Sequence, residues 1–459
     1  MSLTKVTYAM IDGAYANVLD YGASPSATAA VNTAAIQAAI DANDVVYFPQ
    51  GTYNINAALE IGTKNCTLIG CAPNEVRLTT SNASEDVIFF NRPVGQNGYI
   101  TQVININTSG GLNGVHIYGG ACGAQGLIEN VYITSASNAG LLIDTDPSDL
   151  SFGSTWIYGR VRNLRVELGV VGTGVKVYGY NMINGTLWEN VSVSGCATGL
   201  SITETVSTGQ AVQFDALTIE GTYQEAIQIT GTQVLINNLY TEKIGYDIAT
   251  ADINLNSAVS AAYRAVLTLV NPYWGPHWGA SLVTTNRVSF RTNYCTLNIY
   301  GAPPVGTYTV DGNSKNAGAY IYLYGSAAGL PVVDFNNKEI RYGAYASGYT
   351  GTLTGVTTTV NPTFRYQKDG YAVTLTMVAN TGGTSNATTK TIAGMPSEII
   401  PSTVIRGVCL ASDNGGATVA AGFYIGTDGV INLFPNAALG NWTASGTAGV
   451  LSFTISYVL

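Results

Sequence analysis

The chain has 459 residues, of which 46% are hydrophobic and only 10% charged, with 53 glycines and 29 tyrosines against 11 phenylalanines. That composition folds, and it disfavours coiled coils and charged helical bundles, whose outer faces need Lys and Glu. A formal net charge of −9 argues against nucleic acid as a partner.

No apolar run is long enough for membrane insertion. The opening MSLTKVTYAM lacks the apolar core and small-residue cleavage site of a secretory signal. The cysteines Cys66, Cys71, Cys122, Cys196, Cys295 and Cys409 form no CxxC pair and read as mostly buried free thiols. With two histidines in the chain, neither zinc nor any other metal is expected, and no cofactor is implied. A Ser–His–Asp esterase would have to rest on His116 or His277.

In chain order, residues 1–22 form a short head ending in Asn17-Val18-Leu19-Asp20-Tyr21-Gly22. A helix is expected from Asn32 to Asn43, capped by Asn32 or Thr33, with Val31, Ile36, Ala39 and Ile40 as its apolar stripe. DVVYFPQGTYNI follows as a strand broken by a Pro/Gly turn. Beyond it, nearly every apolar run is short, β-branched and bounded by Gly, Asn or Ser.

The central section repeats. IENVYI (128–133), VRNLRV (161–166), WENVSV (188–193), FDALTI (214–219) and INNLYT (236–241) align on Asn130, Asn163, Asn190, Ala216 and Asn238, separated by 33, 27, 26 and 22 residues. Second strands are expected at GVHIY (114–118), GLLID (140–144), GVKVY (174–178), GLSIT (199–203), AIQIT (226–230) and GYDIA (245–249). Alternation points Ile128, Val161, Trp188, Phe214 and Ile236 inward, and likewise Val131 with Ile133, Leu164 with Val166, Val191 with Val193, and Leu217 with Ile219. Two residues separate these inward sets, so a corner sits there, where stacked Asn amides can bond from coil to coil. A period of about 25 residues with two or three short strands per unit is one coil of a parallel β-helix, covering residues 23–345. From 346 to 459 the texture changes to antiparallel strands, beginning with a hairpin around Lys368-Asp369-Gly370, and implies a small β-sandwich or jelly roll. The fold class is all-β: a right-handed parallel β-helix with an N-terminal capping helix and a C-terminal β-sandwich.

NVLDYGA (17–23), AAIQAAIDA (34–42) and VVYFPQGTYNI (45–55) resemble the opening of pectate-lyase-like right-handed β-helix proteins. With the head KVTYAMIDGAYANVLDYGA, the chain looks like the bacteriophage tailspike and capsule-depolymerase branch of that superfamily. FRYQKDGYAVTLTM to LSFTISYVL is similar to small β-sandwiches that end many phage tail proteins. The resemblance implies a homotrimer in the virion tail, acting outside the cell, whose β-helices bind and usually cleave a bacterial surface polysaccharide (capsule or O-antigen). Residues 346–459 would then serve trimerisation or receptor binding. The sequence shows no large particle-binding domain at its start, so the expectation is either attachment to the phage tail or baseplate through the short head or a longer natural chain. The resemblance supplies no catalytic signature.

Site candidates therefore come from the columns that a solenoid displays, with coils ~4.8 Å apart. Four positions past the corner the outward column reads Thr134, Glu167, Ser194, Glu220, Glu242. Glu220 and Glu242 are neighbours about 5 Å apart, a separation suited to a retaining glycosidase pair, with Glu167 as reserve. A second column, Glu129, Arg162, Glu189, Asp215, offers Glu189 and Asp215 as an alternative pair, or else an ion-pair ladder. Arg160, Arg162 and Arg165 share one coil and either hold an acidic sugar or pair with nearby glutamates. Tyr240 is a further binding candidate, and the loop NPYWGPHWGA brings Tyr273, Trp274, His277 and Trp278, whose rings suit stacking on sugars or a subunit contact. Hydrolysis is favoured; β-elimination, with Arg162 as cation and Tyr132 or Tyr240 as base, and a non-catalytic fibre remain alternatives. DTDPSD, with Asp144, Asp146 and Asp149, reads as a turn, lacking the glycine and terminal Glu of a calcium loop.

Overall fold

The computed structural model describes residues 15–92, 99–119, 126–145, 156–169, 171–179, 183–204, 211–244, 252–256, 265–275, 286–290, 295–301, 307–310, 320–324, 332–334, 340–343, 346–357, 361–369, 371–378 and 381–459. Two compact units divide the chain: residues 1–321 with 327–338, and residues 322–326 with 339–459.

The first unit is a right-handed parallel β-helix. Strands one coil apart pair in parallel with Ile128, Val161, Trp188, Phe214 and Ile236 in one register column. All five are buried, as are Val131, Ile133, Leu164, Val166, Val191, Val193, Leu217 and Ile219. Burying each such side chain is worth ~1.5–3 kcal/mol, so the inward columns hold the coils together. Trp188 and Phe214 also stack, ring centroids 5.0 Å apart. The other wall of the solenoid is an eleven-stranded parallel sheet running from Leu59–Ile61 to Val332–Asp334.

The corner between the inward sets is a left-handed residue. Asn105, Asn130, Asn163, Asn190 and Asn238 have φ of 58°, 54°, 51°, 53° and 54°. Asn tolerates that conformation because its side chain bonds locally. The amides also bond vertically: Asn130 Nδ2 donates to Asn105 Oδ1 at 2.9 Å, Asn163 to Asn130 at 2.8 Å, and Asn190 to Asn163 at 2.8 Å. Ala216, with φ 60°, takes the same turn without the amide and interrupts the ladder.

The capping helix spans Ala29–Ala42, starting before Asn32 because Thr28 is its cap, Oγ1 accepting from the Val31 amide at 3.4 Å. Asn32 lies buried within it and accepts from the Ser24 amide. Ile36, Ala39 and Ile40 face the core as expected, whereas Val31 is exposed, one turn from the buried stripe. One second strand falls later than expected. Ile253–Asn256, not GYDIA (245–249), stands opposite Ile227–Thr230, because an insertion at that turn breaks the constant offset of the other coils. Residues 245–249 themselves lie outside the described residues. Cys66, Cys196, Cys295 and Cys409 are buried free thiols and Cys71 an exposed one; Cys122 lies outside the described residues.

The second unit is antiparallel. Ala346–Thr350, Thr363–Asp369, Ala372–Met377 and Thr454–Val458 form a four-stranded sheet, and a seven-stranded sheet accompanies it. Asp369 pairs with Ala372 across the expected hairpin. Phe364, Leu375, Met377, Phe423, Trp442 and Phe453 form its core.

Candidate functional site

The left-handed corner divides each outward face of the long sheet into two sets of columns. Before it, Glu129, Arg162, Glu189 and Asp215 occupy successive coils. Arg162 Nε donates to Glu189 Oε2 at 2.8 Å, and its Nη1 lies 3.6 Å from Glu129 Oε1. This is an ion-pair ladder, and it occupies the guanidinium. The three arginines do not gather: Arg160 stands beside Leu127 and Leu187 in a separate column, and Arg165 lies across the corner.

After the corner, two columns run side by side. One reads Tyr132, Arg165, Ser192, Thr218, Tyr240, Tyr273; the other Thr134, Glu167, Ser194, Glu220, Glu242. Ser192, Ser194 and Thr218 are small and make a low floor between two walls ~14 Å apart at the usual coil spacing. In the first wall, Tyr132 Oη donates to Glu167 Oε2 at 2.7 Å, and the Arg165 guanidinium lies 4.7 Å from the centre of the Tyr132 ring. Arg165 also reaches Glu167 at 3.4 Å. In the second wall, Tyr240 Oη donates to Glu242 Oε2 at 2.6 Å and its ring stacks on Tyr273, centroids 4.9 Å apart and planes 8° from parallel.

A cleft of about 310 Å³ opens at the Glu column, lined by Glu167, Ser194, Glu220, Tyr223, Lys243 and three glycines, Gly169, Gly195 and Gly221. Gly195 and Gly221, with φ of 61° and 60°, turn the backbone immediately after Ser194 and Glu220 and leave it bare beside the carboxylates. A second cleft of about 380 Å³ includes Tyr132, Arg165, Asn130 and Asn163. Sugars lie against surfaces of this kind, where aromatic faces flank hydrogen-bonding groups.

Glu220 and Glu242 are register partners on adjacent strands. The hydrogen bond to Glu242, with burial and the charges of Glu242 and Glu220, pushes the Tyr240 hydroxyl up to about 12. Burial and the Glu167 hydrogen bond raise Tyr132 as well. Neither phenol is set up as a base at neutral pH.

The aromatic loop differs from expectation. Tyr273–Trp274 is a short strand, and its register puts Trp274, which is half-buried, opposite the buried Thr241, while Tyr273 opposite Tyr240 is the exposed ring. An isolated loop reading could not see this alternation. His277 and Trp278 lie outside the described residues.

On the eleven-stranded sheet, His116 sits between two carboxylates: Nδ1 is 2.6 Å from Asp86 Oδ2 and Nε2 is 2.7 Å from Asp144 Oδ1. Its ring stacks on Phe89, centroids 4.7 Å apart. Burial alone lowers the affinity of the imidazole for its second proton, but the hydrogen bonds and charges of Asp144 and Asp86 outweigh it and push the group up to about 9. An imidazolium donating from both nitrogens has no lone pair to deprotonate a serine, so an esterase built on His116 is ruled out. The trio was readable in the sequence as Asp86, His116 and Asp144, spaced by about one coil each. Asp146 and Asp149 lie outside the described residues. Among the described residues, no group of three or more His, Cys, Asp or Glu is placed to hold a metal ion.

A parallel β-helix that displays acidic and aromatic columns on its outer face is thus the class of protein that the coordinates define. Residues 15–261 match the family model described as rhamnogalacturonase A/epimerase, pectate lyase-like, and the chain belongs to that family. No curated protein matches the chain. Among solved structures, it is similar to ORF18 of Geobacillus virus E2 (14% identity, 96% of this chain and 77% of that one, TM-score 0.38). It is similar also to the Dettilon tailspike protein (11% identity, 96% and 94%, TM-score 0.35). A third is the catalytic unit of a thermostable GH87 alpha-1,3-glucanase from Streptomyces thermodiastaticus (14% identity, 71% of each chain, TM-score 0.38).

Proposed function

We propose that the chain is a phage tailspike that binds a bacterial surface polysaccharide and cleaves it by glycoside hydrolysis on the columns after the Asn corner. The observation that carries this reading is the register pairing of Glu220 with Glu242 beside a floor of Ser192, Ser194 and Thr218. Parallel-strand neighbours stand ~4.8 Å apart, and a retaining glycosidase needs its two carboxyls ≈ 5–5.5 Å apart. Membership of a pectate-lyase-like family supports a polysaccharide as the ligand, and the tailspike assignment rests on the resemblance of the head KVTYAMIDGAYANVLDYGA. Arg165, Tyr240 and Tyr273 are the proposed sugar contacts, and Glu167 is the reserve for the catalytic pair. The homotrimer, tail attachment through the N-terminal segment and location in the virion tail belong to the same proposal.

Elimination is the weaker reading. A lyase needs a base beside the uronate and a cation on its carboxylate. Tyr132 and Tyr240 both donate to glutamates, and Arg162 is held by Glu189 and Glu129. Incubation with capsule or O-chain from candidate hosts separates the possibilities. New reducing ends without an unsaturated chromophore are the expected products. Appearance of the chromophore would mean elimination, and binding with neither product would mean an adhesin.

A further inference from the structure

The two outer faces of the antiparallel unit differ in chemistry. On the seven-stranded sheet, Val408 and Leu410 point out of strand Ile405–Ser412 and are exposed, and Leu439 covers Gly422, the register partner of Val408. That face is apolar, as the core of a subunit contact is. The four-stranded sheet presents hydroxyls instead. Its buried Phe364, Tyr366, Leu375 and Met377 alternate with outward Arg365, Gln367, Thr374 and Thr376, and the register sets Thr374 beside Ser456 and Thr376 beside Thr454. The hydroxyl oxygens of those two pairs lie 2.9 and 3.0 Å apart. Each pair spends one O–H on itself and keeps the other, with its lone pairs, for a ligand.

Arg365 is exposed in the same row as Thr376 and Thr454 and makes no hydrogen bond or ion pair among the described residues. Its neighbour on the other side, Gly348, puts no side chain beside it. A cleft of about 380 Å³ opens there, and Arg365, Thr376, Val378 and Thr454 are among its lining residues. A guanidinium offers a carboxylate or phosphate two parallel N–H donors, and rows of hydroxyls match those of a sugar. From this arrangement we infer that the outer face of the four-stranded sheet binds an anionic saccharide, its acidic substituent on Arg365 and its hydroxyls on the Thr374–Ser456 and Thr376–Thr454 pairs. A protein partner would meet a guanidinium and hydroxyls here, where interface cores are apolar and poor in serine. The site is built by this unit alone and does not depend on Glu220 or Glu242.

The test measures binding of the full chain to immobilised polygalacturonate and polysialate, which carry carboxylates, to phosphomannan, which carries phosphate, and to neutral dextran. Because the chain has a net charge of −9, retention on a polyanion reports a local cationic site and not bulk attraction. Wild type is expected to bind at least one anionic probe more tightly than dextran, and the preferred probe identifies the anion. R365M should weaken that binding roughly tenfold or more and flatten its salt dependence, and R365K, which keeps the charge but loses the fork, should fall between. Thr376→Trp, which fills the cleft and leaves the charge, should match R365M. Equal binding by wild type and all three variants, or no preference of wild type for any polyanion, would overturn the site. A changed mass of R365M in light scattering would assign the face to subunit contact and overturn it too. E220Q is expected to keep the Arg365-dependent binding, so failure of the hydrolase reading leaves this site standing. Unchanged binding in R365M while E220Q no longer releases reducing ends would defeat this site alone.

Discussion

The columns on the two sides of the Asn corner share strands, coil spacing and exposure, yet they handle charge in opposite ways. Before the corner, Arg162 sits between Glu129 and Glu189 and pairs with both, which leaves only Asp215, at the end of that column, without an ion pair among the described residues. After it, Glu220 and Glu242 are vertical neighbours with no arginine between them, and a phenol and a lysine attend only one. Ion pairs on an exposed surface stabilise by ~0–1 kcal/mol, so the ladder is a modest brace. Adjacent acids repel, and a chain gains nothing in stability from stacking them. The difference separates side chains that hold the coils in register from side chains arranged for chemistry.

Filling the floor probes that contrast most severely. Thr218→Trp should lower kcat/KM roughly a hundredfold by displacing substrate from the walls at Arg165 and Tyr240, with thermal unfolding little changed. Gln213→Trp, on the same strand before the corner, should stay within about twofold of wild type. Equal losses in steady-state assays of the two would erase the distinction between the columns.

His116 sharpens the contrast from the other sheet, since there the carboxylates are bridged by a cation. A group raised from 6.5 to about 9 stabilises fully below its unfolded value, and that contribution is lost as pH climbs through about 9. Denaturant unfolding of the wild type should weaken by on the order of 2–3 kcal/mol across that window. His116→Asn should lose this stability at pH 6 and flatten the profile. A wild-type curve that is level over the window would contradict the clamp.

The smallest effect lies at the corner. Ala216→Asn restores an amide between Asn190 and Asn238 and relieves a left-handed alanine, so it should raise stability by about 1 kcal/mol, read as a higher denaturant midpoint. A lower midpoint would mean that the amide does not fit the ladder.

Much of this was legible because a solenoid converts a linear repeat into columns. Once Asn130, Asn163, Asn190 and Asn238 were aligned, alternation fixed both the buried set, Ile128 to Ile236, and the vertical order of Glu167, Ser194, Glu220 and Glu242. Where coil length changes, a constant offset no longer marks the strand: an insertion moves it from GYDIA to Ile253–Asn256. Asn32 has the chemistry of a cap, but its side-chain oxygen accepts from the Ser24 amide and Thr28 caps the helix, a choice of partner that residue type alone does not encode. Trp274 was assigned to a loop because Pro and Gly flank it, and a two-residue strand gives no period to read. Side-chain partners, such as Tyr240 with Glu242 and Arg165 over Tyr132, depend on rotamers and distances that spacing does not encode.

The central claim is that catalysis belongs to the column after the corner, and paired substitutions test it directly. Reducing ends released from the polysaccharide should be measured for E220Q, E242Q, E189Q and D215N, each checked for an unchanged unfolding midpoint. The account predicts losses of roughly 10³-fold or more for E220Q and E242Q, as expected for removal of a nucleophile or an acid/base. E189Q and D215N should remain within about twofold of wild type. The reverse pattern, with E220Q and E242Q active and E189Q or D215N dead, would move the chemistry to the ion-pair column and contradict the account.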